Sequence, residues 1–198
     1  MKSAQAVLIA AILAMACFIT ACGGVDEARI EEIARKVAQE EDIKARDEFL
    51  KEFAPDNFGF GGALEKEWSH AQGCRVGNFI FVSGQQPYDT NLDDKGMPLT
   101  DLETGRNFEQ QLTTCLENVQ KVLAHYGSST NDVVMLQGFV DLQAGKNKAD
   151  FGNAAGVITK FFPNAQQSMT FISVDDLFGP EQLIEVNAIA VMTSLGKK

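Results

Sequence analysis

The sequence predicts an α+β fold in the order β-β-α-β-α-β-β, with one mixed sheet and two helices on one of its faces. Three patterns lead there. Short runs rich in Phe, Ile and Val alternate with a period of two towards both ends of the folded part. A long segment between them keeps its apolar residues on one helical stripe, and a shorter stripe follows the third strand. Strand and helix groups arranged in this way pack as a single sheet covered on one side.

The first two strands are His70 to Val76 and Asn78 to Ser83, a hairpin turning at Gly77-Asn78. A polar, turn-rich stretch from Gln85 to Gly105 follows. Phe108, Leu112, Cys115, Leu116, Val119, Val122, Leu123 and Tyr126 then recur with a period of about 3.6, and Gly127 stops the helix. Asp132 to Leu142 is the third strand. Asn147, with Asp150 three residues on, caps a second helix that turns Phe151, Ala154, Ala155, Ile158, Phe161 and Phe162 inward until Pro163 ends it. Gln166 to Val174 and Leu183 to Thr193 are the last two strands.

The last strand carries the most informative residue. Ile184, Val186, Ala188, Ala190 and Met192 form a wholly apolar face, whereas Leu183, Glu185, Asn187, Ile189 and Val191 share the other. An isolated ionised carboxylate is costly to bury, so Glu185 is solvated, paired, or held in a wet cleft where its charge has a use. Gln137, Phe139, Met169, Phe171, Glu185 and Ile189 are expected on the sheet face away from the helices. That set is too apolar for water and too polar for a sealed core. A homo-oligomer that closes a barrel from several sheets would cover it and place its pockets between subunits.

The chain before the sheet has a different character. Met1-Lys2-Ser3 gives a short positive start, Ala6 to Phe18 an uninterrupted apolar run, and Ile19-Thr20-Ala21-Cys22 a small-residue close before a cysteine. This reads as a secretory signal too short for a membrane span, and its last four residues resemble a bacterial lipobox, with Cys22 as the lipidated residue. Gly23 follows in place of the aspartate that retains many lipoproteins at the inner membrane, so an outer membrane is the expected destination where one exists. The expectation is a signal over residues 1–21, an acidic helical spacer and linker over 22–67, and the folded domain over 68–198. In the spacer, Ile30, Ile33, Ala34, Val37 and Ala38 keep helical spacing among many charges, and Ala54 to Gly62 breaks the helix as a Pro- and Gly-rich linker. The spacer either lifts the domain off the membrane or self-associates as a short stalk. Cys74 and Cys115 are the cysteines left after Cys22; they carry no metal-ligand spacing and read as small buried hydrophobes without a disulfide. No metal and no cofactor is expected. The formal net charge of -10 becomes about -11 once Lys2 is removed with the signal, and such a body repels nucleic acid.

The ordered set Gln72, Arg75-Val76-Gly77-Asn78, Phe81-Val82-Ser83-Gly84-Gln85, Leu116-Glu117-Asn118-Val119, Gly127-Ser128-Ser129, Asp132-Val133-Val134, Asp150-Phe151, Phe161-Phe162-Pro163 and Leu183 to Ala190 resembles the Rid (YjgF-like) family. Its best-known members are enamine and imine deaminases. The resemblance spans roughly residues 68 to 193 and implies a chorismate-mutase-like trimer with clefts between subunits. It also implies site positions. An arginine that clamps the substrate carboxylate in deaminating members falls at Met169, a water-positioning glutamate at Glu185, a cleft tyrosine at His70, and a helix asparagine at Ala155, with Asn153 nearby but out of register. Phe171 lies beside the clamp position, and Ser83 and Gln85 either line the cleft floor or close the hairpin exit.

Two functions follow. A thioether has no charge and no fork of donors, so Met169 removes the carboxylate anchor, and with Phe171 and Ala155 it suits a site that binds a small molecule without turning it over. The alternative is a hydrolase of the deaminase type, in which Glu185 positions water and His70 serves as its acid partner across a subunit interface. A solvated edge residue is the plainer role for His70. Ribonuclease activity, attributed to some relatives, fits poorly with an acidic body lacking a basic stripe.

Overall fold

The computed structural model describes residues 27–97, 107–141, 153–164, 167–179 and 181–193. The signal segment, Cys22, Asn147, Asp150 and Phe151 lie outside the described residues. The chain divides into two units, Met1–Ala54 and Pro55–Lys198.

In the first unit, α1 (Glu27–Glu52) is the expected acidic helix. Glu31–Arg35 and Glu32–Lys36 ion pairs, one helical turn apart at 3.4 and 2.7 Å, brace its surface. Ile33, Ile43, Phe49 and Leu50 stay exposed, and the Phe49 and Phe53 rings meet, 4.6 Å apart. Among the described residues, no helix is long and apolar enough to cross a membrane.

The second unit is a six-stranded mixed sheet with the helices Phe108–His125 and Ala154–Phe161 in the core on one face. Its strands are β1 (Asp56–Phe58), β2 (Gly73–Val76), β3 (Phe79–Gln85), β4 (Val133–Asp141), β5 (Ser168–Val174) and β6 (Ile184–Val191), in the spatial order β1-β2-β3-β6-β4-β5. All neighbours are antiparallel except β4 and β5, which need a crossover to run parallel. Among the described residues its helices are α2 (Ala63–Trp68), α3 (Phe108–His125) and α4 (Ala154–Phe161). The hairpin turns at Gly77, whose φ is 58°.

α3 forms as its periodicity requires. Asn107 caps it, accepting from the Gln110 N–H at 2.9 Å, while the Gln110 side chain accepts from the Asn107 N–H at 3.0 Å. All eight residues of the expected stripe, from Phe108 to Tyr126, are buried. They pack on Ile80 and Val82 of β3, Leu136 and Val140 of β4, and Ile184, Val186, Ala188 and Ala190 of β6, which together make one core.

Three expectations are corrected. The stretch Ala54 to Gly62, read as a linker, contains β1, because contacts distant in sequence hold it: Phe58 stacks on His125 with centroids 3.9 Å apart, and the Tyr126 hydroxyl lies 2.8 Å from Asp56 O and 3.0 Å from Gly73 O. Burial, with Asp56 and Cys74 nearby, pushes the Tyr126 phenol up to about 12, so it remains a donor at neutral pH. The following glycine run is ordered by Glu65, whose carboxylate accepts from the N–H groups of Phe60, Gly61 and Gly62 at 3.0, 2.8 and 3.2 Å. The second compact unit begins at Pro55.

The second helix starts at Ala154, after Asn153, and turns Ala154, Val157 and Ile158 inward. Ala155, expected inside, is exposed.

The third correction concerns β5. Its register pairs Leu136 with Met169, Gly138 with Phe171, and Phe139 with Ile172. Side chains of paired residues share a face, so Met169 and Phe171 belong to the helix side, and Thr170 and Ile172 lie beside Gln137 and Phe139. The Phe171 ring covers Gly138 so closely that a Cβ there would overlap it. The open face thus carries Phe79, Phe81, Phe139, Ile172 and Ile189 around Gln137, Asn187 and Glu185. Phe79, Phe81 and Ile172 are 48, 45 and 44 % exposed, so the described part of this face is apolar and largely open.

Candidate functional site

The candidate site lies at the end of the sheet where β6 begins, and its centre is Glu185. β6 alternates as its sequence requires, Ile184 and Val186 buried and Glu185 half-buried between them. Beside it, β3 is irregular. Val82 pairs with Ala188 and Gln85 with Val186, so Ser83 and Gly84 together oppose a single residue of β6. The Glu185 side chain lies across this bulge. A Cβ at Gly84 would overlap Glu185 Oε1, so only glycine leaves room for the carboxylate.

Two amides hold one oxygen of that carboxylate. Gln86 Nε2 donates to Glu185 Oε2 at 3.3 Å and Gln182 Nε2 at 3.4 Å. Gln182 is itself fully buried, accepts from the Gly179 N–H at 3.1 Å and reaches Ile184 O at 3.2 Å. Both donor segments are pinned to α3. Gln111 spans the strand entrance, accepting from the Leu183 N–H at 2.8 Å and donating to Glu181 O at 2.9 Å. Two turns further along the helix, Asn118 donates to Gln86 O at 3.1 Å and Tyr88 O at 2.9 Å. Lys121 completes that side, 2.8 Å from Thr90 Oγ1 and 3.3 Å from Asn118 Oδ1. The result is a carboxylate acceptor on a rigid polar frame, with Oε1 facing the bare backbone of Gly84. It is suited to accept a hydrogen bond from an N–H or O–H group, or to orient a water molecule.

Cys115 sits under the frame, its thiol 3.7 Å from Ile184 O. Burial pushes it well above the usual thiol range, and the Glu185 charge pushes the same way. It stays protonated and structural. Cys74 and Cys115 are free thiols, and among the described residues no cluster of His, Cys, Asp or Glu is arranged to hold a metal ion.

The residues marked in the sequence are only partly brought together. Ser83 Oγ donates to Ala71 O at 2.7 Å, and Gln85 Nε2 donates to Gln72 Oε1 at 2.9 Å and Ser83 O at 3.0 Å, so both side chains fasten the hairpin exit to the preceding segment. His70 is exposed, and its N–H donates to Glu65 O at 3.1 Å to close α2. Among the described residues, the hydrogen bonds to Glu185 come from Gln86 and Gln182, not from His70. Met169 is 49 % exposed on the edge strand. Sequence reasoning missed Gln86, Gln182 and Gln111. One signal was present: Gln111 and Asn118 are two turns apart, flanking the apolar stripe, where polar residues would be buried with it.

A family model described as Endoribonuclease L-PSP matches residues 62–192. A RutC family protein of Saccharolobus solfataricus is 35 % identical over 121 residues, covering 61 % of this chain and 85 % of that protein. Another, from Pyrococcus abyssi, is 31 % identical over 121 residues, 61 % of this chain and 84 % of its own length. Among solved structures, a YjgF/YER057c/UK114 family member from Mycobacterium tuberculosis superposes with a TM-score of 0.56 at 18 % identity, over 70 % of this chain and 100 % of that one. Yeast Mmf1 does so with a TM-score of 0.51 at 23 % identity, over 68 % and 92 %. At these identities the structures show the fold alone. With the family model spanning most of the chain, the protein belongs to the L-PSP, or Rid/YjgF, family.

Proposed function

We propose that this Rid-family protein binds a small molecule against Glu185 and lacks the 2-imino acid deaminase activity of the family's best-known members. The observation that carries the reading is the framed carboxylate: one oxygen held by Gln86 and Gln182, the other left over Gly84. By resemblance the carboxylate-clamping arginine is replaced by Met169, so a free 2-imino acid has lost its anchor and meets a negative charge instead. The second reading, a deaminase-type hydrolase, rests on the same Glu185, which is placed to orient water. The ribonuclease activity in the family's name suits this chain poorly, because its net charge is -10.

The protein is further proposed to work as a homotrimer, which would cover the apolar open face and close the site between subunits. Lipidation at Cys22 would export it and hold it on a membrane facing the periplasm or cell exterior.

The test is deamination of freshly generated 2-iminobutanoate, followed as ammonia release, by the parent, Met169→Arg and Glu185→Gln. The parent is expected to release ammonia no faster than buffer. A substantial parental rate that Glu185→Gln abolishes would favour the hydrolase. A rate gained by Met169→Arg alone would show that the clamp was the missing part.

A further inference from the structure

At the same end of the sheet, two large aromatic side chains stand in solvent. Trp68 ends α2 and Phe178 lies in the loop between β5 and β6. Their rings meet edge to face, centroids 5.2 Å apart at 84°, yet they remain 58 % and 62 % exposed. Single exposed aromatics are common; two brought together from distant parts of the chain and left open make a contact platform.

The platform is tied to Glu185. Phe178 is followed by buried Gly179, whose N–H donates to Gln182 Oε1 at 3.1 Å, and Gln182 Nε2 lies 3.4 Å from Glu185 Oε2. Two hydrogen bonds thus separate the backbone beside Phe178 from the carboxylate. On the other side, Trp68 leads through Ser69, in a left-handed conformation with φ 52°, to exposed His70. Acidic residues adjoin both rings in sequence: Glu67 precedes Trp68, and Asp175, Asp176 and Glu181 bracket Phe178.

We infer that Trp68 and Phe178 form the apolar wall of the Glu185 site and select a small organic cation, a protonated amine bearing an aromatic or branched apolar group. This rests on Glu185 being the ligand-binding carboxylate and names the class of ligand it takes. The N–H of the cation donates to Glu185, a charge-assisted hydrogen bond. The exposed ring surfaces take the apolar group, and their faces attract the positive centre. Carboxylates around the platform draw in a cation and turn away an anion.

Trp68 is the only tryptophan in the sequence, so its fluorescence reports on this wall directly. The full chain in detergent micelles is titrated with 2-phenylethylamine and with 3-phenylpropanoate, which share a ring and differ in charge. A saturable change with the amine is expected, with at least tenfold weaker binding of the acid. Phe178→Ala, at an exposed position, should fold as the parent does in a circular-dichroism melt and weaken the amine about tenfold, and Glu185→Gln should weaken it about tenfold from the other end. Unaltered amine affinity in Phe178→Ala overturns the inference, while a loss confined to Glu185→Gln leaves the reading of Glu185 standing. Loss confined to Phe178→Ala also overturns it, because the platform would then serve a site without Glu185. So does an amine that gives no saturable change, or an acid that binds as well as the amine.

Discussion

Gln111→Leu is expected to lower the unfolding free energy by about 3 kcal/mol, since each buried polar group left unpaired costs about 1–3 kcal/mol. Gln111 is nearly fully buried on α3, and its amide satisfies the Leu183 N–H and Glu181 O together. Leucine restores most of the volume and neither hydrogen bond. Chemical denaturation of the parent and the variant measures the difference, provided the slope against denaturant is unchanged. A loss below about 1 kcal/mol would mean that water replaces the amide and that α3 does not fix the entrance to β6. Because the clamped segment carries Gln182, the variant should also loosen the hold on Glu185.

Gly84→Ala should do the reverse, damaging the site and sparing the fold. The added Cβ would overlap Glu185 Oε1 and lie 2.7 Å from Cδ and 3.1 Å from Cγ. The obstruction is the free end of a half-buried side chain, so the carboxyl can swing away, at a stability cost below about 1 kcal/mol. In doing so it leaves Gln86 and Gln182, and amine affinity is expected to fall at least tenfold. Thermal unfolding measured beside the fluorescence titration separates the two effects. An unchanged affinity would place the ligand elsewhere, whereas a large loss of stability would make the bulge a folding element first.

Periodicity made most of the fold legible. The eight-residue stripe of α3 and the alternation of β6 are local patterns with an unambiguous phase, and both fold as read. β1 was hidden because Pro55 and the glycines after Phe58 look like a linker, while the contacts that order the strand, His125 and Tyr126, lie far along the chain. In β5, Met169, Phe171 and Ile172 are all apolar, so alternation alone could not say which faced the helices; the pairing with β4 decides it. Glu185 was legible as a charge in a greasy strand. Its amide frame was not, because Gln86 and Gln182 sit in connecting segments where glutamine ordinarily means solvent, and the burial of Gln182 and the placement of Gln86 follow from the hydrogen bonds that tie those segments to α3.

The space beside Glu185 Oε1 decides whether this carboxylate is a ligand-binding group or one half of an ion pair. A crystal structure of the assembled protein, purified with whatever small molecule it retains, examines that space directly. The expected result is a non-protein molecule with a nitrogen within about 3.2 Å of Glu185 and its apolar part against Trp68 and Phe178. A lysine or arginine of a neighbouring subunit bonded to Glu185 and filling the space would contradict it, and Glu185 would then be a structural residue of the assembly.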